Sequence, residues 1–252
     1  MKIGKIEFNK KYSLNDLRDF INKKQNDMQR NLSKTCRILI IDDDLNEEKS
    51  NYVFDAELKY LKNQLGFDIT TKDDLHNLRD AEGYDIIICD IDGVGLKLGG
   101  NNGIWLLNEI NKEYPDKILV LYTNYNQEIR KLNRIDNAAF EKWDKGELVD
   151  NYINNGQDGF ADKIKTTINY FADPARRWQK LRNKMLNTEV SIHEVAMLES
   201  YFVKSIVKND KNIFDKMQSK YNNKNRSDID FKDLLLTSKS IIETTITLIS
   251  LL

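Results

Sequence analysis

The sequence predicts an α/β protein built on a doubly wound, five-stranded parallel sheet, with an N-terminal helix and a C-terminal all-helical region. Between residues 37 and 171, short continuously apolar runs alternate with amphipathic stretches. Strands that are apolar on both faces are typical of parallel sheets covered by helices. Right-handed crossovers then place helices on both faces of the sheet. After Asp173-Pro174, where the residue before proline disfavours a helix, the pattern contains no clear strand.

The apolar spacing also predicts where each strand and helix of the sheet region lies. The predicted strands are 37–41, 67–70, 84–89, 117–122 and 138–141. The predicted helices are 46–65, 72–81, 103–113, 125–133, 145–154 and 158–172. Asp44 is interpreted as the N-cap of the first of these helices.

The flanking regions are predicted to be helical. Ser13 and Asp16 have the spacing of a capping box. An apolar stripe follows at helical spacing, which must pack on the rest of the chain or on a second copy. Its members are Leu14, Leu17, Ile21 and Met28. We therefore expect an N-terminal helical extension (1–35), a sheet domain (36–172) and an all-helical output or interaction region (173–252), with helices at 174–187, 190–208, 211–221 and 229–250.

Composition excludes several classes of protein. The 252 residues carry a net charge of −1, which is typical of an ordinary soluble protein. Two cysteines without metal-ligand spacing indicate reduced core residues, and two histidines cannot form a histidine-rich metal site. We see no signal peptide and no apolar run long enough for a membrane span, so we expect a cytoplasmic protein that does not bind membranes.

Acidic residues follow two of the predicted strands. Asp42 and Asp43 come after the first strand, and Asp90 and Asp92 come after the third. The carboxyl ends of parallel strands lie at one edge of the sheet, where open α/β sheets bind ligands. So many carboxylates repel one another unless a cation lies between them, and oxygen ligands of this kind suit Mg²⁺.

A hydroxyl and an amine follow the remaining strands of the predicted site. Thr123 ends the fourth strand, and Lys142 follows the fifth. An aspartate such as Asp90 can form an acyl-phosphate, while a metal ion, a lysine and a hydroxyl stabilise the charge on the transferring oxygens. These residue types therefore indicate phosphoryl chemistry at the sheet edge.

This order of residues resembles the receiver domain of two-component response regulators, over about residues 36–172. That family has an acidic pair after its first strand, the phosphoacceptor aspartate after its third, Thr or Ser after its fourth and Lys after its fifth. The resemblance implies that Asp90 is the phosphoacceptor and that Thr123 and Lys142 bind the phosphoryl group. It further implies a bacterial phosphoprotein, phosphorylated by a histidine kinase or a phosphotransfer protein.

The resemblance also implies how Mg²⁺ is bound. Asp43 would be the main ligand, and Asp42 a second acid acting partly through water. Asp90 and the backbone carbonyl of Asp92 would complete the protein ligands.

Two features depart from the family pattern. The segment from Asp90 to Gly103 is longer than usual, and we interpret it as a flexible insertion. Lys142 follows Phe140, the expected aromatic switch residue, more closely than usual, which leaves Lys145 open as the alternative site lysine.

Three alternatives remain open. Asp90-Ile91-Asp92-Gly93-Val94 also matches the signature of haloacid dehalogenase-like phosphatases, with Asp90 as nucleophile and Asp92 as general acid/base, but that family has its acid pair near the end of the domain. A basic stretch at 176–184 could bind nucleic acid, although residues 156–252 hold 16 Lys and Arg against 12 Asp and Glu. The third alternative is an inert domain whose acids are merely solvated.

We expect a signalling protein rather than an enzyme. No DNA-binding motif is recognisable in the helical region, so protein–protein contact with a downstream effector is favoured over nucleic acid. The sequence leaves open whether the protein forms a homodimer.

Overall fold

The structure is a computed structural model that describes residues 11–24, 35–45, 52–114, 117–124, 141–156, 159–186, 190–222 and 229–250. The chain forms two compact units. The sheet unit comprises the described residues between 35 and 172, and the helical unit comprises residues 11–24 together with the described residues between 173 and 250.

The sheet unit contains five parallel strands in the order β2-β1-β3-β4-β5. This arrangement confirms the predicted fold class. The strand order changes direction between β1 and β3, which makes this place the switch point of the sheet. In open α/β sheets, ligands bind beside such a point, at the carboxyl ends of the strands. The strands are β1 (Arg37–Ile41), β2 (Asp68–Lys72), β3 (Ile86–Asp90), β4 (Ile118–Thr123) and β5 (Glu141–Asp144).

Burial explains the continuously apolar runs in the sequence. Every residue of β3 and β4 is buried, and so is every residue of β1 after Arg37. Helices cover the sheet, so side chains on both faces of these strands leave water. The helices of this unit are α2 (Asp55–Asn63), α3 (Gly103–Glu113), α4 (Lys145–Asn155) and α5 (Phe160–Ala172).

Strand register brings the carboxyl ends of the strands together. Ile41 of β1 pairs with Cys89 of β3, and Asp90 pairs with Tyr122 of β4. Since paired residues of neighbouring parallel strands share a face of the sheet, the side chains of Asp90 and Tyr122 lie on the same side.

Three predicted elements differ from the structure. In the predicted helix 46–65, residues 52–54 are not helical, and the described helix is Asp55–Asn63. The predicted helix 72–81 is wrong: β2 continues to Lys72, and a short 3₁₀ turn covers Leu78–Ala81. The carboxylates of Asp73 and Asp74 bind backbone N–H groups there, which favours a turn over a helix. The fifth strand runs to Asp144, beyond its predicted end at 141, because Glu141 to Asp144 pair with β4, and the predicted start at 138 lies outside the described residues.

Some predictions fall outside the described residues. These are the helix 125–133, the aromatic switch residue Phe140, the stripe residue Met28 and the segment 46–51 that follows the proposed N-cap Asp44.

The helical unit has its own apolar core. The predicted capping box of Ser13 and Asp16 is present at the start of α1 (Leu14–Asn22). Leu14 and Leu17 of α1 are buried in one cluster with Trp178 and Phe202, whose rings stack with centroids 4.5 Å apart. The N-terminal helix therefore packs within this unit. Its other helices are α6 (Pro174–Leu186), α7 (Ile192–Val207), α8 (Asn212–Asn222) and α9 (Ile229–Ser250).

Among the described helices, none has both the length and the apolar character that a membrane crossing requires.

Candidate functional site

Lys145 joins two buried carboxylates at the carboxyl end of the sheet. Its Nζ lies 2.8 Å from Asp42 Oδ2 and 2.5 Å from Asp90 Oδ2. Lys145 is only 3% exposed, Asp42 0% and Asp90 6%. A buried charge is tolerated when it is paired and hydrogen-bonded, so these three side chains depend on one another.

The lysine at the carboxylates is Lys145 and not Lys142, which corrects the predicted site. Because β5 extends to Asp144, the first residue beyond the strand end is Lys145, which begins α4. Lys142 lies within β5, paired with Leu121, and is half-buried. The short polar strand Glu141–Asp144 gave no apolar pattern from which its true end could be recognised.

Asp42 is held by three hydrogen-bond donors. Its Oδ2 accepts from the hydroxyl of Tyr122 as well as from Lys145, and its Oδ1 accepts from the backbone N–H of Asp44 at 3.0 Å. The Tyr122 hydroxyl lies 2.8 Å from the hydroxyl of Tyr52. Burial raises the pKa of Tyr122 well above its usual range, and Tyr52 and Asp42 add to this effect. The phenol therefore stays protonated and able to donate.

Asp90 is the last residue of β3, and one of its carboxylate oxygens accepts a backbone hydrogen bond. Its Oδ1 accepts from the N–H of Ile91 at 2.7 Å, and its Oδ2 faces Lys145. Burial raises the pKa of Asp90 to about 6, although Lys145 opposes this shift. The carboxylates of Asp42 and Asp90 in turn raise the pKa of Lys145 against the effect of its burial. At neutral pH, Asp90 is therefore ionised opposite a charged lysine.

Three consecutive acids form a cluster beside this pair. Asp42, Asp43 and Asp44 each offer a carboxylate oxygen within 4.8 Å of the others. Asp43 is half-buried and Asp44 is exposed. Gly93 approaches Asp43 so closely that a Cβ atom at position 93 would overlap the Asp43 carboxylate. These hard oxygen donors, partly open to solvent, fit Mg²⁺, which binds through a few carboxylates and retains water.

The other predicted residues occupy different positions at this edge. Thr123 is 1% exposed at the end of β4, where it pairs with Asp144 of β5. The side chain of Asp92 is exposed in the segment after β3. The structure thus gathers Asp42, Asp90 and Lys145, with Thr123 on the adjoining strand end.

The segment after Asp90 is folded, in contrast to the flexible insertion that we expected. The carboxylate of Asp74 is buried and accepts from the N–H groups of Gly95 at 2.7 Å, Leu75 at 2.8 Å and Lys97 at 3.0 Å. Lys97 Nζ also lies 2.7 Å from Asp73 Oδ2. The segment is therefore fastened to the carboxyl end of β2.

Sequence reasoning missed Asp74, Tyr122 and Tyr52. Tyr122 offered a weak signal, because a side chain with a polar tip stood inside an otherwise aliphatic buried strand and needed a hydrogen-bond partner. Asp74 is the second residue after β2, so it lies near a strand end as Asp42 and Asp90 do, and the acids near all strand ends could have been compared.

No family profile matches the chain, and no curated protein matches it. Solved structures of response regulator receiver domains do resemble it. A CheY-like receiver domain protein from Methanospirillum hungatei JF-1 is 17% identical, with a TM-score of 0.35, and the match covers 53% of this chain and 94% of that one.

Two further structures show the same likeness. A receiver domain protein from Clostridium thermocellum is 21% identical, with a TM-score of 0.37, over 58% of this chain and 98% of that one. The response regulator TrrA from Thermotoga maritima, solved with Mg(2+)-BeF, is 28% identical, with a TM-score of 0.31, over 44% of this chain and 86% of that one.

Proposed function

We propose that this protein is a response-regulator-like switch in which Asp90 accepts a phosphoryl group. The observation that carries the proposal is the buried contact of Lys145 with both Asp42 and Asp90 at the switch point of the sheet. It supplies an aspartate nucleophile, a fixed cation and an acid cluster at one place. Of the alternatives, the phosphatase has its acid pair late in the domain, whereas Asp42 and Asp43 come directly after β1, before Asp90 in the chain.

In the proposed reaction, a carboxylate oxygen of Asp90 attacks the phosphorus of a phosphorylated donor. A P–O bond to Asp90 forms, and the bond from phosphorus to the donor's leaving atom breaks, with the electron pair leaving on the donor. Lys145 would turn from the Asp90 carboxylate to the new phosphoryl oxygens, where its charge offsets the added negative charge. The hydroxyl of Thr123 would donate to the same oxygens.

Mg²⁺ is the cofactor that this donor set suits. Asp43 and Asp44 would hold it together with Asp90 and the backbone carbonyl of Asp92. When bound, the ion supplies positive charge that neutralises the phosphoryl oxygens. Asp44 was not among the ligands predicted from the sequence, and it enters here because its carboxylate lies in the acid cluster.

The donor would be a histidine kinase or a phosphotransfer protein. We propose that the helical unit is the output, acting through protein–protein contact with an effector, and that the protein is a switch instead of a turnover enzyme. The contacts that stabilise the acyl-phosphate would be the energetic source of the switch.

Beryllofluoride with Mg²⁺ mimics an acyl-phosphate and tests the proposal directly. We expect wild-type protein to bind the pair, measured by isothermal titration calorimetry, and Asp90→Asn to bind at least tenfold more weakly, because the carboxylate oxygen that coordinates beryllium is lost. Asp68→Asn is the matched control, since Asp68 is exposed at the opposite end of β2, where it forms an ion pair with the exposed Arg37. Equal binding by Asp90→Asn and wild type would refute the assignment of Asp90.

A further inference from the structure

The two tyrosine hydroxyls beside Asp42 form a directed chain of hydrogen bonds. An ionised carboxylate can only accept, so the hydroxyl of Tyr122 donates its single proton to Asp42 Oδ2. Tyr122 then has no second proton to give in its 2.8 Å contact with Tyr52. The Tyr52 hydroxyl must therefore donate to the oxygen of Tyr122, and the chain runs from Tyr52 through Tyr122 to Asp42.

Asp42 is consequently held by the protein through both of its carboxylate oxygens. Its Oδ2 receives Tyr122 and the ammonium of Lys145, and its Oδ1 receives the N–H of Asp44. It is 0% exposed, whereas Asp43 is half-buried and Asp44 is exposed. Binding a metal through Oδ2 of Asp42 would mean giving up one of these donors inside a site that water cannot reach to replace it.

The ring of Tyr122 is fixed as firmly as its hydroxyl. Tyr122 is 0% exposed, its ring centroid lies 6.0 Å from that of Phe160, and Lys145 Nζ lies 4.5 Å from its ring centre. The side chain has no room to swing its hydroxyl away from Asp42. Phenylalanine at this position would keep the ring contacts and remove only the hydroxyl.

We infer that Tyr122, supported by Tyr52, is a positioning residue that holds Oδ2 of Asp42 on Lys145 and keeps that oxygen out of the Mg²⁺ ligand set. This inference rests on the proposed function of the site. It deepens that proposal by assigning the metal to Asp43 and Asp44, with Asp42 as the anchor of the lysine. The affinity for Mg²⁺ is then lower than three carboxylate ligands would give. The tyrosines therefore set the Mg²⁺ concentration that the switch requires.

The test measures Mg²⁺ affinity in the full chain by isothermal titration calorimetry. We expect Tyr122→Phe to bind Mg²⁺ about tenfold more tightly than wild type, because Oδ2 of Asp42 loses one of its two donors and becomes available to the metal. Tyr52→Phe should shift the affinity in the same direction by a smaller factor. Tyr60→Phe, which removes a hydroxyl from a 44% exposed residue of α2, should leave it unchanged. Structural damage to the site would weaken binding, so the gain in affinity is diagnostic.

The outcomes separate this inference from the proposed function. If wild type binds Mg²⁺ and Asp43→Asn does not, the proposed metal site stands. Unchanged or weaker binding by Tyr122→Phe would then overturn the role of the tyrosines alone. If wild type binds no Mg²⁺, both the metal site and the inference fall. Should circular dichroism show that Tyr122→Phe is unfolded, Tyr52→Phe decides the matter, and an unchanged affinity in that variant overturns the inference.

Discussion

Replacing Lys145 by methionine should lower the free energy of unfolding by about 3–5 kcal/mol at pH 7.5, because it leaves the buried carboxylates of Asp42 and Asp90 without their cation. Methionine has a similar length, so the loss reports charge more than packing. The loss should shrink as the pH falls through 6. Burial already raises the pKa of Asp90 to about 6, and a protonated carboxyl group no longer needs a positive partner.

Lys142→Met provides the matched control in a chemical denaturation series. Lys142 is a half-buried lysine of β5, the strand that precedes Lys145, and we expect its replacement to change the free energy of unfolding by less than about 1 kcal/mol. Equal losses in the two variants, or a larger loss for Lys142→Met, would show that Lys145 is not the cation of the site.

Replacing Asp74 by alanine should be the next most damaging change, lowering the free energy of unfolding by about 2–4 kcal/mol. Its carboxylate accepts from three backbone N–H groups, those of Leu75, Gly95 and Lys97. The segment after Asp90 would come loose from β2, so amide hydrogen exchange at Gly95 and Lys97 should accelerate more than exchange in the strands.

Asp73→Ala is the control for that experiment. Asp73 also accepts from the N–H of Asp74 and forms an ion pair with the side chain of Lys97, but this pair is partly exposed to solvent, and such pairs contribute about 0–1 kcal/mol. If Asp74→Ala unfolds at the same denaturant concentration as wild type, with unchanged exchange at Gly95, the segment is not held by Asp74.

The sequence was sufficient for the fold because the sheet is buried on both faces. Continuous apolar runs such as Ile86 to Cys89 are produced by that burial, and the runs of β1 and β3 lead directly to the acids Asp42 and Asp90 at the sheet edge. The convergence of Asp42 and Asp90 follows from strand order alone. Both the apolar runs and the meeting of these acids depend on local pattern and topology, which can be predicted from the sequence.

The partners of those acids were harder to predict, because they depend on contacts between distant residues. Lys145 lies 103 residues from Asp42, and Tyr122 lies 80 residues from it. The error in choosing Lys142 arose from β5, whose burial comes from pairing with β4 and from the edge-on contact of Trp143 with Phe160. The polar sequence of that strand carries no trace of either contact.

Asp74 illustrates the same limit. A hydrogen bond from the N–H of Gly95 to Asp74 leaves no signature in the sequence of either segment. The glycine-rich composition after Asp90 is typical of flexible loops, yet glycines also allow a backbone to take left-handed turns, as Gly95 and Gly99 do here with φ of +79° and +81°. Composition alone cannot distinguish the two.

The most direct test of the central claim is the covalent state of Asp90 after incubation with acetyl phosphate and Mg²⁺ at pH 7.5. In this reaction Asp90 takes the phosphoryl group and acetate leaves. We expect intact mass spectrometry to show the gain of one phosphoryl group, borohydride reduction to map it to Asp90, and Asp90→Asn to show no gain. A wild-type mass that does not change, or a phosphoryl group that persists in Asp90→Asn, would contradict the account.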